Sequence, residues 1–387
     1  MKIILAPDSF KGTLSSMEII EHLEEGARRY FDPVDIIKVP IADGGEGTVD
    51  ALVIATDGEY RSVEVMGPLS NQRVIAKYGI INKKTAVIEM AQASGLPLVK
   101  KGEQNPLLTT TYGTGEMIKA ALNEGIRDFV IGIGGSATND GGIGACQALG
   151  GNFSDKNGKE VGFGGQELSR IKNIFIGDMD NRIKESTFNV ICDVDNPLVG
   201  PEGATAIYGP QKGVTEDNFH ILEAGMINYQ TLIKAVTRLN MADIPGSGAA
   251  GGLGAALVAF FAGTLKPGID AVLDYVNFSE LVRDADLVVT GEGRIDSQSI
   301  YGKVPVGVAK LCKPLNIPVV AVVGGMGPGA EKVYDFGIHS IITTVNSPMP
   351  LEEALSNADE LMGNAADRLF RFIKVGYGVR DNIKGIK

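Results

Sequence analysis

The sequence predicts an α/β protein: a flavodoxin-like (Rossmann-like), doubly wound parallel sheet with a second, mixed α/β domain inserted into it. Three observations carry this prediction. Short apolar runs at both ends of the chain are continuous rather than alternating, the pattern of strands buried on both faces. Amphipathic helical patterns separate those runs. A middle stretch, 60–90, instead alternates apolar and polar residues around turn signals and reads as antiparallel strands.

Taken in order, KIILAP (2–7) is the first run, followed by a Ser-led helix over about 15–30. DIIKVP (35–40) is the second, with a helix near 48–55. The next comparable runs come late: DLVVTG (286–291), PVVAVVGG (318–325) and HSIITTV (339–345). Helical patterns at 302–314 and 327–336 lie between them, and a last helix covers 351–374. Further helical patterns fall at 114–124 and 249–262. The expected division is therefore 1–59 with 281–387 as the flavodoxin-like domain, and 60–280 as the inserted α/β domain with a mixed sheet.

Composition narrows the function. Glycine supplies 51 of 387 residues, nearly twice its average usage of about 7%. No G-x-y period accompanies it, so the excess belongs to tight turns and close backbone approaches, as in an enzyme. A net charge of −11 argues against nucleic acid, which needs clustered Lys and Arg. The longest apolar stretch, 252–265, is too short to span a membrane, and the first residues lack a signal-peptide apolar region. Cys146, Cys192 and Cys312 have no zinc or disulfide spacing; a cytoplasmic protein is expected.

Six Gly- or Asp-rich turns stand at expected element ends: PDSFKGTLS (7–15), PIADGGEGT (40–48), GIGGSATNDGG (132–142), CDVDNPLVGPEGA (192–204), PGSGAAGGLG (245–254) and TGEGRID (290–296). Ligands of open α/β sheets bind outside the carboxyl ends of the strands, where three of these turns fall. PDSFKGTLS offers N–H groups, a helix start and Lys11 to a phosphate, or else is a capped turn with Lys11 solvated. It is not a Walker A loop. Asp43 with Glu46, Asp193 with Asp195, and Glu292 with Asp296 are acidic pairs suited either to magnesium or to turn capping. Arg294 suits a carboxylate or phosphate, or a salt bridge to its acidic neighbours. Lys212 and Lys303 are weaker versions of the same idea. The three histidines assemble no Ser–His–Asp constellation.

Gly132, Gly134 and Ala137 also fit a dinucleotide turn, G-x-G-x-x-A. A short glycine-broken helix with almost no second strand comes after them, and Asp155 is preceded only by Phe153 as a large apolar residue. This leaves an NAD-dependent dehydrogenase of small hydroxy acids as an alternative, alongside a non-catalytic sugar-acid or nucleotide-binding module.

As an ordered set, APDSFKGTLS (6–15), PIADGGEGT (40–48), YGTGEMI (112–118), GIGGSATNDGG (132–142), CDVDNPLVG (192–200), GPQKG (209–213), GSGAAGGLGAAL (246–257) and GEGRIDSQS (291–299) resemble the bacterial glycerate kinase family of the glyoxylate/glucarate type, class I. Thr13 and Ile41 depart from the Ser and Leu expected there. The resemblance implies ATP-dependent phosphorylation of D-glycerate, with Mg2+, to 2-phosphoglycerate rather than 3-phosphoglycerate, in a cleft between two domains. It assigns Ser9, Lys11 and the 132–142 turn, with Ser136, Asn139 and Asp140, to the transferred phosphoryl. Asp193 and Asp195 hold magnesium or accept the hydroxyl proton, and Arg294 takes the glycerate carboxylate. Asp43 and Asp296 are further acid–base or metal candidates; Gly44, Gly45, Gly291 and Gly293 bring backbone to substrate or phosphate. The oligomeric state stays open, a homodimer being compatible with the sequence.

Overall fold

The structure is a computed structural model describing residues 1–42, 45 and 47–384, with the side chains of 380–384 left aside. Asp43, Gly44 and Glu46 therefore lie outside the described residues. Along the described chain the strands are β1 (Lys2–Pro7), β2 (Asp35–Lys38), β3 (Glu59–Met66), β4 (Arg73–Ile81), β5 (Thr85–Glu89), β6 (Asp128–Gly132), β7 (Asn152–Ser154), β8 (Asn173–Phe175), β9 (Thr187–Ile191), β10 (Thr264–Lys266), β11 (Leu287–Ile295), β12 (Val319–Met326) and β13 (Ser340–Thr343).

The chain forms two compact units, Met1–Asp43 with Ile269–Lys387, and Gly44–Gly268. In the first, the sheet order is β13-β12-β11-β1-β2, all parallel. Numbered within the unit this is 2-1-3-4-5, a doubly wound order. Ile3 and Leu5 of β1 pack with Ile19, Ile20 and Leu23 of helix Ser16–Tyr30 and with Met362, Leu369 and Phe370 of helix Ala358–Lys384. Ile4 and Ala6 alternate to the other face and are equally buried. Helix Val304–Cys312 packs on β11 and β12. Cover on both faces explains why the strand runs read as uninterrupted apolar sequence.

In the second unit the order is β10-β9-β6-β5-β4-β3. The β3–β4 and β4–β5 pairs are antiparallel, whereas β5, β6, β9 and β10 run parallel. The chain is thus a mixed α/β fold with one parallel sheet, one mixed sheet and a two-stranded antiparallel ribbon of β7 and β8.

Several elements differ from the sequence reading. The units divide at 43/44 and 268/269, not at 59/60 and 280/281. Helix Thr48–Ala55 packs on β4 and β5, and the Val49 N–H donates to Glu89 (2.9 Å), so that helix belongs with the mixed sheet. Ile269 packs against Gly307 of the first unit. The expected helix at 327–336 is a 3-10 turn, Ala330–Phe336. Strand β11 does not stop at Gly291 but continues to Ile295, with Arg294 opposite Gly325. Gly293 and Gly324 make this continuation possible: a Cβ on Gly324 would lie 2.4 Å from the Gly293 carbonyl oxygen. The glycines that signal a strand end in sequence here let two strands lie close.

Candidate active site

Each unit gathers polar groups at the carboxyl ends of its parallel strands. In the first, β1 ends at Pro7 beside Gly291 of β11, and the Asp8 N–H donates to the Gly291 carbonyl (2.9 Å). The chain then turns. The Ser9 N–H donates to Asp8 Oδ1 (2.7 Å), and the Ser16 hydroxyl donates to the Pro7 carbonyl (2.6 Å). Ser15 and Glu18 close a capping box on helix Ser16–Tyr30. Lys11 is exposed at the tip of this turn.

The longer β11 carries Glu292, Gly293 and Arg294 onto the same rim. A cavity of about 600 Å³ opens there, lined by Asp8, Ser9, Lys11, Glu292, Arg294 and Lys303 on its polar side. Phe10, Met326, Val345, Leu351 and Leu355 supply its apolar side. Arg294 Nε is 3.5 Å from Asp296 Oδ2, with the Arg294 side chain 67% exposed. Asp296 Oδ1 accepts the Gln298 N–H (2.9 Å). The structure thus gives Asp296 a turn to hold and Arg294 as an ion-pair partner. Glu292 is 5% exposed and accepts the Ser299 hydroxyl proton at 2.7 Å. Burial raises its carboxyl to about 7; nearby Asp8 and Asp296 add to the rise, while Ser299 and Lys303 oppose it.

The second unit holds its Gly-rich turn from behind. Asp140 is fully buried. It accepts the Thr111 N–H (2.8 Å), the Thr111 hydroxyl (2.9 Å) and the Gly142 N–H (3.0 Å). Burial raises its pKa, against the pull of these donors. Asn139, also fully buried, donates to Thr205 Oγ1 (3.1 Å), while its own Oδ1 and Thr138 Oγ1 have no hydrogen-bond partner among the described residues. Ser136 is 7% exposed and accepts from Lys212 Nζ (2.7 Å), which also donates to the Thr138 carbonyl (2.8 Å). Burial lowers the Lys212 ammonium to about 7, with Asp140 opposing.

Asp193 and Asp195 lie just after β9 and are exposed; Asp193 Oδ1 accepts the Gly268 N–H (2.7 Å). Cys192, between β9 and this acidic turn, has its thiol pushed up by burial, against a nucleophilic role. Gly45 accepts the Thr48 hydroxyl proton (2.8 Å). Asp43 and Gly44 lie outside the described residues.

The structure therefore brings Ser9, Lys11, Gly293 and Arg294 to one cavity, whereas Gly291 pairs with Pro7 inside the sheet. It sets Ser136 against Lys212, whose ammonium Asp140 also favours, and ties Asn139 to Thr205. Two residues stand out more than their sequence signal suggests. Asp8 passes unremarked inside PDSFKG, and Lys212 reads as an ordinary turn lysine, because nothing in GPQKG reports burial. Glu292 is legible only as half of an acidic pair, although an acid between two glycines directly after VVT is a strand-borne polar signal.

An α/β chain whose parallel strands deliver carboxylates and cations to sheet rims is of the class that transforms small polar ligands there. Residues 3–374 match the model of the glycerate kinase family. The chain is 48% identical over 376 residues to a glycerate kinase of Bacillus subtilis (strain 168), covering 97% of this chain and 98% of that one. It is 46% identical over 377 residues to a glycerate 2-kinase of Escherichia coli (strain K12), covering 97% and 99%. A crystal structure described as that of a glycerate kinase 2 from Salmonella typhimurium LT2 is similar with a TM-score of 0.89 at 44% identity, covering 98% and 99%. The chain belongs to the glycerate kinase family. It is an enzyme, a phosphotransferase with an alcohol group as acceptor. Among the described residues no helix is long and apolar enough to cross a membrane.

Proposed function

We propose that this kinase transfers the γ-phosphoryl of ATP to O2 of D-glycerate, giving 2-phosphoglycerate, in the cytoplasm. The observation that carries the reading is the end-to-end likeness to glycerate kinases; a relative named glycerate 2-kinase at 46% identity supports O2. In the first unit Arg294 pairs with the glycerate carboxylate, exchanging its exposed contact with Asp296 for a two-point one. The Ser9 hydroxyl and the Lys11 ammonium meet the transferred phosphoryl. In the second unit Lys212 and Asp140 hold the 132–142 turn so that Ser136 and its glycines present N–H and O–H groups to an anion.

Magnesium, when bound, neutralises phosphate charge. Among the described residues no cluster of three or more metal-ligating side chains occurs. That fits a hard ion taking most of its shell from water and phosphates, with the exposed oxygens of Asp193 and Asp195 as its protein ligands.

ADP release that requires both D-glycerate and magnesium, over a panel of small hydroxy acids, tests the reaction; nicotinamide-dependent absorbance change instead would overturn it. Phosphorus NMR of the product separates O2 from O3. Lys11→Ala, Asp193→Asn and Arg294→Ala are each expected to lower turnover by more than tenfold; smaller effects would remove those roles.

A further inference from the structure

We propose that Glu292 accepts the acceptor's hydroxyl proton during phosphoryl transfer. This rests on the glycerate kinase reading and on Arg294 holding the carboxylate. Glu292 and Arg294 are two residues apart on β11, so their side chains leave one face of the strand, about 6.6–6.8 Å apart at Cα. Both line the same cavity. A 2-hydroxy acid anchored there by its carboxylate projects its hydroxyl along the strand, and Glu292 is the neighbouring carboxylate on that face.

The carboxylate is also oriented. The Asp296 N–H donates to Ser299 Oγ (3.2 Å), whose hydroxyl donates to Glu292 Oε1 (2.7 Å). This chain fixes one oxygen of a carboxylate that lines the cavity. The charged groups acting on Glu292 are Asp8 after β1, and Asp296 and Lys303 after β11; Arg294 lies two residues along the strand, and β12 contributes Gly324, Gly325 and Met326 to the lining. With its carboxyl raised to about 7 by burial, the group both takes and releases a proton readily at neutral pH.

In the transfer step the acceptor oxygen forms a bond to the γ-phosphorus of ATP. The bond from that phosphorus to the bridging oxygen breaks, its electron pair leaving with ADP. The hydroxyl proton passes to Glu292 and then to water.

The test is the pH profile of Glu292→Gln beside the parent. The expected result is a kcat lowered about 10²–10⁴-fold, a KM for glycerate changed only a few-fold, and loss of the acid limb near neutral pH. Ser299→Ala retains the carboxylate but removes the hydrogen bond that lowers its pKa, so the acid limb should move to higher pH. Cooperative thermal unfolding of each variant checks folding; if Glu292→Gln does not fold, the limb of Ser299→Ala decides. A Glu292→Gln enzyme within about threefold of the parent, or an unmoved limb in Ser299→Ala, overturns the assignment alone. A parent without glycerate-dependent ADP release overturns the kinase reading, and this inference with it.

Discussion

Lys212 and Glu292 are buried ionisable groups displaced toward neutrality from opposite sides, and the two displacements carry opposite signs in stability. The folded Glu292 carboxyl titrates near 7, above its unfolded value, so the folded state holds that proton longer. Its stabilising contribution is complete below about pH 4.5 and is lost as pH rises through about 7. Glu292→Gln, which does not titrate, should gain stability relative to the parent between those limits and stay level above; urea titrations at pH 4.5, 6 and 8 measure the trend. Folded Lys212 titrates near 7 against an ordinary 10.5, so the unfolded chain holds its proton longer and stability at this site rises from about pH 7 to 10.5. Lys212→Met should therefore compare best with the parent below pH 7 and progressively worse toward pH 10. Asp140 presents a different case, since its role is to accept N–H and O–H donors. Asp140→Asn turns an amide group toward at least one of these donors and should cost about 1–3 kcal/mol, read as a lower urea midpoint with an unchanged slope.

Glycine-rich motifs act differently from one element to the next. In YGTGEMI, Gly113 lies on helix Tyr112–Asn123 where a Cβ would sit 1.8 Å from the Met66 carbonyl oxygen. That glycine serves helix-to-strand packing rather than a ligand, and Gly113→Ala should destabilise by about 1–3 kcal/mol, with KM values unchanged in whatever fraction folds. The same duality limits what the sequence reveals. KIILAP and its capped helix are legible because apolar continuity, the Ser15–Glu18 box and helical period all agree. The extension of β11 through Glu292 to Ile295 is not, because glycine reads as a breaker until the facing Gly324 is known. Helix Glu216–Thr237 escapes too: its buried stripe of Leu222, Met226, Tyr229 and Ile233 is blurred by exposed Ile221, Ile227 and Val236. Of the candidate residues, those on turns after strands could be found by position. The burial of Asn139, Asp140 and Lys212 could not, since it depends on partners such as Thr111 and Thr205 far along the chain.

For the whole molecule, binding should appear in stability as well as turnover. D-glycerate with a non-hydrolysable ATP analogue and magnesium, each at about 100 times its dissociation constant, should stabilise the chain by up to about 2.7 kcal/mol per ligand; no shift in the unfolding midpoint would count against small-molecule binding altogether. Chain connectivity has a further consequence. The partner of β1 on its β11 side begins at Leu287, which pairs with Ile3, whereas every strand of the mixed sheet lies in one continuous segment. On the ribosome the first strand is made early and its neighbour more than two-thirds of the chain later. The inserted segment can close its own sheet in that interval, while the amino-terminal strands wait with an open apolar edge. Birth order thus makes the sheet of the first unit, its β1 rim included, the last part of the enzyme to mature, and slow or interrupted synthesis past residue 268 should yield aggregates seeded at that waiting edge.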